Sequence, residues 1–222
     1  MTASMERTDT SDMIIVHRLF RREFRRAPRL ILGVAEGDTE RAEFIGSYLA
    51  DIAAGLHHHH HAEDELLWPK LLERVSLQAE LIHRMEGQHE RLAVLLGRID
   101  ELLPVWRTRA EASVRDELAD VIAQASGALD EHLGEEESEI LPLVAEHLSP
   151  DEWEAIGKRA QEGIPKEGTK PFVALGALLD EASPTERRFM LAKLPLPLRV
   201  IYGLIGERIY RRAMTRLVGT AN

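Results

Sequence analysis

The chain has 222 residues, 44% of them apolar and 30% charged, with a formal net charge of −10. Those proportions belong to a soluble globular protein, long enough for one large domain with an appendage. There is no cysteine, which excludes disulfides, iron–sulfur clusters and thiolate zinc sites, and the acidic balance argues against nucleic acid as a partner.

The opening MTASMERTDTSD lacks the apolar core of a signal peptide, and residues 1–11 read as disordered. No apolar run approaches membrane-spanning length. A cytoplasmic protein is expected. Residues 12–36 read as a first helix, with Asp12 as a cap and Pro28 as a kink or break. A Gly37-Asp38-Thr39 turn opens a second helix, which runs to about Arg74 and is disturbed in its last turns by Pro69. Ser76 caps a third, reaching about Arg107 with a second kink at Pro104. Ser113, with Asp116 three residues on, starts a fourth that ends near His147. Apolar residues recur at helical spacing, for example Ile82, Met85, Leu92, Leu96 and Ile99. Four long helices with short connections predict an all-α, up-down-up-down four-helix bundle over residues 12–148.

Residues 149–222 form a helical C-terminal extension of different character. Residues 160–222 carry net +4, against −14 for residues 1–159. Ser149-Pro-Asp-Glu152 and Ser183-Pro-Thr-Glu186 are capping boxes with Pro in the first turn, and each starts a short helix. Gly163 to Lys170 is a linker. The last helix, roughly Leu198 to Val218, sets Ile201, Leu204, Ile205 and Ile209 on one side, with Arg208, Arg211, Arg212 and Arg216 mostly elsewhere. Its apolar side is expected to dock on the acidic bundle, over a pocket of the bundle or over its far face. A basic amphipathic helix lying on an anionic membrane is the second reading. An exposed apolar stripe would favour a homodimer.

One ligand pattern occurs twice, 73 residues apart. His59, Glu63 and Pro69 read as HxxxE with a trailing proline, and His132, Glu136 and Pro142 repeat the spacing. Each copy is preceded by another histidine, His17 and His89, at 42 and 43 residues. On a helix, residues i and i+4 share a face, so each HxxxE presents an imidazole and a carboxylate together. A two-fold repeat of helix pairs sets matching ligands on either side of a pseudo-axis. Two ions bridged by Glu63 and Glu136 follow from that arrangement. The run His57 to His61 also offers His60/Asp64 and His61/Glu65, but only His59/Glu63 maps onto both ligand types of the second copy. Imidazole and carboxylate without thiolate suit iron, manganese or zinc, and two bridging carboxylates favour iron.

These segments resemble the hemerythrin-like (HHE cation-binding) family. "HHHHHAEDELLWPKL" and "EHLGEEESEILPLV" are similar to its two His-Glu segments, "QHERLAVLLGRID" to its third-helix segment and "VHRLFRRE" to its first. The resemblance covers about residues 12–148. It implies a non-haem di-iron centre, oxo- or hydroxo-bridged, with ligands His17, His59, Glu63, His89, His132 and Glu136. Oxygen-carrying members have a second histidine on the third helix, where this chain has Met85 one turn before His89. Water, Glu137 or His58 would fill that gap. The site is expected to bind or sense O2 or a related small oxidant. Decomposition of peroxide, handling of NO, and iron storage or delivery are the alternatives.

Other residues read as structural. His57, His61 and Glu65 form one stripe, a solvated face or a contact with the C-terminal segment ahead of a surface zinc or nickel site. His83 and His147 read as surface. Arg18, Arg21, Arg22, Arg25, Arg26 and Arg29 read as a solvated face paired with acidic neighbours. Tyr48 reads as structural, and Phe20, Phe24, Met85, Leu92, Leu96 and Leu129 as apolar cover for the metals.

Overall fold

A computed structural model describes residues 7–219. Its elements are all helical among these residues: α1 (Ser11–Leu32), α2 (Thr39–Leu66), α3 (Trp68–Arg74), α4 (Ala79–Arg109), α5 (Ala112–Glu135), α6 (Leu141–His147), α7 (Pro150–Ala160), α8 (Lys170–Asp180), α9 (Pro184–Ala192), α10 (Leu196–Ile201) and α11 (Glu207–Val218). The long helices α1, α2, α4 and α5 make the bundle, with α1 against α5 and α2, and α4 against α2 and α5. No helix of the described residues is long and apolar enough to cross a membrane.

Capping sets several of the boundaries. Asp38 accepts from the Arg41 N–H at the start of α2, and Gly37 supplies the positive φ of the turn before it. Ser149 and Ser183 each close a full capping box. Other signals differ from expectation. Ser113 does not cap α5, which starts one residue earlier at Ala112 after Glu111. Asp12 lies inside the first turn of α1 and takes hydrogen bonds from Trp153 and Lys193 instead. Pro28 breaks nothing: α1 runs through it to Leu32, without the one hydrogen bond that its missing N–H would make to the Phe24 carbonyl.

The two trailing prolines are absorbed in two ways. After Glu63 the helix stops at Leu67 and restarts with Pro69 in the first turn of α3, where a missing N–H costs little. After His132 the chain widens into a π-helical segment, Glu136–Ile140, and Pro142 begins α6. The Leu141 N–H there reaches back to the Glu136 carbonyl. Single π turns of this kind often occur at functional sites.

The apolar core falls into two parts. One fills the bundle from Phe20 and Phe24 to Leu56, Leu92, Trp106 and Leu129. The other gathers Met13, Trp68, Ile82, Met85, Ile140 and Val144, and Trp153 and Ile156 of α7 join it. Along α1 the order is Met13, His17, Phe20; along α4 it is Met85, His89, Leu92. A buried polar layer therefore crosses the bundle between two dry clusters, and the residues expected as apolar cover are buried on its two sides.

The segments outside the bundle pack closely. Thr8 is buried, with its hydroxyl donating to the Leu148 carbonyl at 2.6 Å, so disorder does not extend to residues 7–11. Residues 1–6 lie outside the described ones. The C-terminal extension packs on the bundle, but not by the face expected of its last helix: Ile201, Leu204 and Ile205 are exposed, and Tyr202, Tyr210 and Leu217 are buried instead. Helix α7 covers α2, and α8 and α9 lie on α1. Helix α11 packs on α8 so tightly that a Cβ on Gly176 would lie 2.3 Å from the Tyr210 ring. The arginine face of α1 is mostly paired: Arg18 with Glu186, Arg21 with Glu137, Arg22 with Asp180 and Glu181, Arg25 with Asp130. Arg26 donates to the Tyr48 hydroxyl at 3.0 Å and pairs with the buried Glu23, which gives Tyr48 its structural role.

Arg74 ties α3 to α7 through two hydrogen bonds to Glu152, at 2.8 and 2.7 Å. The guanidinium, with the Ser149 N–H, holds the Glu152 carboxyl at about 2. The folded value lies below the unfolded one, so the contribution is present above the ordinary carboxylate range and is lost as pH falls towards about 2. Glu152→Gln should cost up to about 1 kcal/mol at neutral pH, kept small by solvent screening. In urea denaturation the gap to wild type should narrow steadily on acidification; a gap independent of pH would assign the loss to packing.

Candidate metal centre

The polar layer draws on all four long helices. His17 comes from α1, His59, His60 and Glu63 from α2, His89 from α4, His132 from α5, and Glu136 from the π segment that follows. All seven side chains are buried, none more than 5% exposed. They form two overlapping groups. His17, His59, Glu63 and Glu136 make one, and His60, Glu63, His89 and His132 the other, with ligand atoms in each within 4.8 Å of one another. Glu63 belongs to both. Its Oε1 lies 3.3 Å from His59 Nε2 and its Oε2 3.5 Å from His89 Nε2. Glu136 Oε2 lies 3.3 Å from His17 Nε2 and 3.7 Å from His132 Nε2.

All six residues expected as ligands therefore meet, and a seventh joins them. His60, set aside by the repeat argument, stacks on the His89 ring at 4.2 Å between centroids. Neighbours on a helix stand about 100° apart, and α2 touches both α1 and α4. His59 turns toward α1 and His60 toward α4. The repeat concealed this, because position 60 maps to Leu133 in the second copy. The other expected fillers are engaged elsewhere. Glu137 bonds His17 Nδ1 and Arg21, and His58 packs on Gly163, where an added Cβ would sit 2.4 Å away. His57 reaches Asp100, His61 lies 3.7 Å from Glu65, and His83 bonds Glu86, all at the surface.

The residues present fit a cation. Nε2 of His17, His59 and His60 and all four carboxylate oxygens of Glu63 and Glu136 are buried with no hydrogen-bond partner. Buried polar atoms are normally satisfied, and leaving one unpaired costs free energy. Three imidazoles are oriented from behind. Asp64 Oδ1 takes His89 Nδ1 at 2.6 Å and the Trp68 indole N–H at 2.9 Å. Gln88 Oε1 takes His132 Nδ1 at 3.1 Å, and Glu137 takes His17 Nδ1 at 2.9 Å. Each acceptor draws the proton to Nδ1, which leaves a lone pair on Nε2. His89 Nε2 and His132 Nε2 then face each other at 3.1 Å with no proton between them, an arrangement that a shared cation resolves. Gln88 escaped the sequence reading, and Asp64 entered it only as the partner of His60 in a pair that the repeat set aside. The only signal was Asp64 four residues before Trp68, a helical pairing with an indole donor.

Electrostatics favour the same occupant. Burial pushes His59 down to about 3 and His132 to about 4, and drives His60 well below the ordinary imidazole value. These three are neutral at physiological pH, the form that binds metal. Burial also opposes charge on His17, but Glu136 and Glu137 outweigh it and raise the group. Burial, with Glu136 beside it, pushes the Glu63 carboxyl well above its usual range. Cations neutralise both carboxylates and displace these protons. Phe20 beside His59 and Trp68 beside His89 close the layer to water.

A four-helix bundle closed on a buried nest of imidazoles and carboxylates defines a metal-binding bundle protein. Residues 8–144, more than half of the chain, match the family described as Hemerythrin HHE cation binding domain. The chain belongs to that family, and cation binding, typically of iron, follows from membership. No curated protein and no solved structure matches the chain.

Proposed function

We propose that the layer holds two iron ions, bridged by Glu63 and Glu136, and that it binds or senses a small oxidant, O2 or a close relative. The observation that carries this is Glu63, whose two oxygens face two different histidine groups. Five imidazoles, two bridging carboxylates and one oxo or hydroxo bridge leave about one free position on two six-coordinate ions. One free position suits a single small ligand. Iron would supply the electrons that such a ligand accepts. The chain's part is to hold seven donors in a dry layer, with the protons of His17, His89 and His132 fixed on Nδ1.

His60 weighs against turnover, because it occupies a position that a second reactant would need. The nearby Asp64, Gln88 and Glu137 are committed to orienting histidines. The test is metal content and the visible spectrum of protein purified without an added His tag. About two irons per chain, with an oxo-bridged ferric spectrum that shifts when a small ligand is added, is the expected result. Continuous consumption of peroxide would move the function to an enzyme. Zinc alone, or no iron after reconstitution, would remove the di-iron reading.

A further inference from the structure

The C-terminal helix has two faces, and only one is used by the fold. Helices α10 and α11 are joined by a π-helical segment, Tyr202–Gly206, into one run from Leu196 to Val218. Tyr202, Gly206, Tyr210 and Leu217 are buried on the inner side. The outer side is apolar in its first half. Leu196 and Leu204 are 66% and 72% exposed, and Leu198, Val200, Ile201 and Ile205 are exposed beside them. Its second half is basic, where Arg208, Arg211, Arg212 and Arg216 line one shallow depression. From 187 to 219 the chain carries eight basic residues and one acidic residue, Glu207, which pairs with Arg187 and lies 3.7 Å from Arg211; Lys193 pairs with Asp12 and Arg216 with Glu40, so Arg208, Arg211 and Arg212 carry most of the outward charge. In a chain of net −10 this is a concentrated positive patch, continuous with an exposed aliphatic one.

The chemistry of the patch selects its occupant. Exposed aliphatics in contiguous groups mark an interaction surface. Nucleic acid would be met by aromatic stacking platforms rather than leucine and isoleucine. A second copy fits poorly. The remaining exposed large apolar residues, Leu32, Leu77, Val94, Val105 and Ile164, are scattered over separate elements and offer no receiving patch. Parallel self-pairing sets arginines on arginines, and antiparallel self-pairing over the aliphatic half leaves the arginines without an acidic partner. An anionic bilayer answers both halves at once: its acyl boundary receives the aliphatics and its phosphates receive the guanidinium groups.

We propose that the outward face of Leu196–Val218 is a docking surface for a membrane rich in anionic phospholipid, leaving the inner face to hold the helix on the bundle. The full-length, iron-loaded protein should co-sediment with phosphatidylglycerol vesicles at low salt and not with phosphatidylcholine vesicles. Arg208→Glu, Arg211→Glu and Arg212→Glu together should weaken binding by at least a hundredfold, at about fivefold per arginine removed. Leu204→Glu should weaken it independently, with iron content and helical circular dichroism unchanged in both variants. Equal sedimentation of wild type and both variants, or no binding to phosphatidylglycerol, would overturn the proposal. So would a concentration-dependent dimer that Leu204→Glu dissociates, which would assign the face to a second copy of the chain.

Discussion

Glu63→Leu is expected to abolish iron binding while making the metal-free protein more stable. The two effects have one origin. Glu63 is the single residue common to both ligand groups, so its removal takes a donor from each at once. Losing a residue that merely orients a ligand costs roughly 10–100-fold in metal affinity, and losing a shared ligand should cost at least about a hundredfold. Without metal, however, the Glu63 carboxyl is fully buried and neither of its oxygens has a hydrogen-bond partner. An unsatisfied buried group of this kind costs about 1–3 kcal/mol, and leucine of similar size between the two apolar clusters relieves that cost. The measurement is a pair of melting curves, with and without ferrous iron. Wild type should gain from iron, since binding to the folded state stabilises it. The variant should start higher and gain nothing. A lower melting point in the metal-free variant, with iron retained, would show Glu63 to be a structural residue.

Much of this centre is legible in the chain, for an identifiable reason. His59/Glu63 and His132/Glu136 obey helical periodicity, and a repeat at fixed spacing is hard to mistake for surface histidine. The bundle follows from the same periodicity, with turns set by Gly37-Asp38 and by the Ser149 and Ser183 boxes. What stayed hidden depends on neighbours across the fold. His60 and His61 are adjacent and chemically equal, yet one is buried on His89 and the other meets solvent beside Glu65. Only the positions of α1 and α4 around α2 decide between them. The π segment at Glu136 is likewise invisible, since Pro69 and Pro142 look alike and one ends a helix while the other widens it. Asp64, Gln88 and Glu137 orient rings on other helices, a role that their local spacing does not reveal.

His60→Ala is the sharper test of the site as it is built. If the repeated motif were the whole ligand set, this protein would bind iron as wild type does, because His60 has no counterpart in the second copy. In the structure His60 stands with Glu63, His89 and His132, and its Nε2 is buried without a partner. On the proposed two-ion reading, alanine should therefore weaken binding at that group by at least about tenfold, while binding at His17, His59 and Glu136 stays more nearly as before. Iron titration should then resolve two unequal sites where wild type loads evenly, and added imidazole should restore the lost one by entering the cavity left against His89. His61→Ala, one residue along but exposed to solvent beside Glu65, should titrate as wild type. Unchanged loading in His60→Ala, with only a lowered melting point, would reduce His60 to a ring that packs on His89, and the third-helix position vacated by Met85 would again need another ligand.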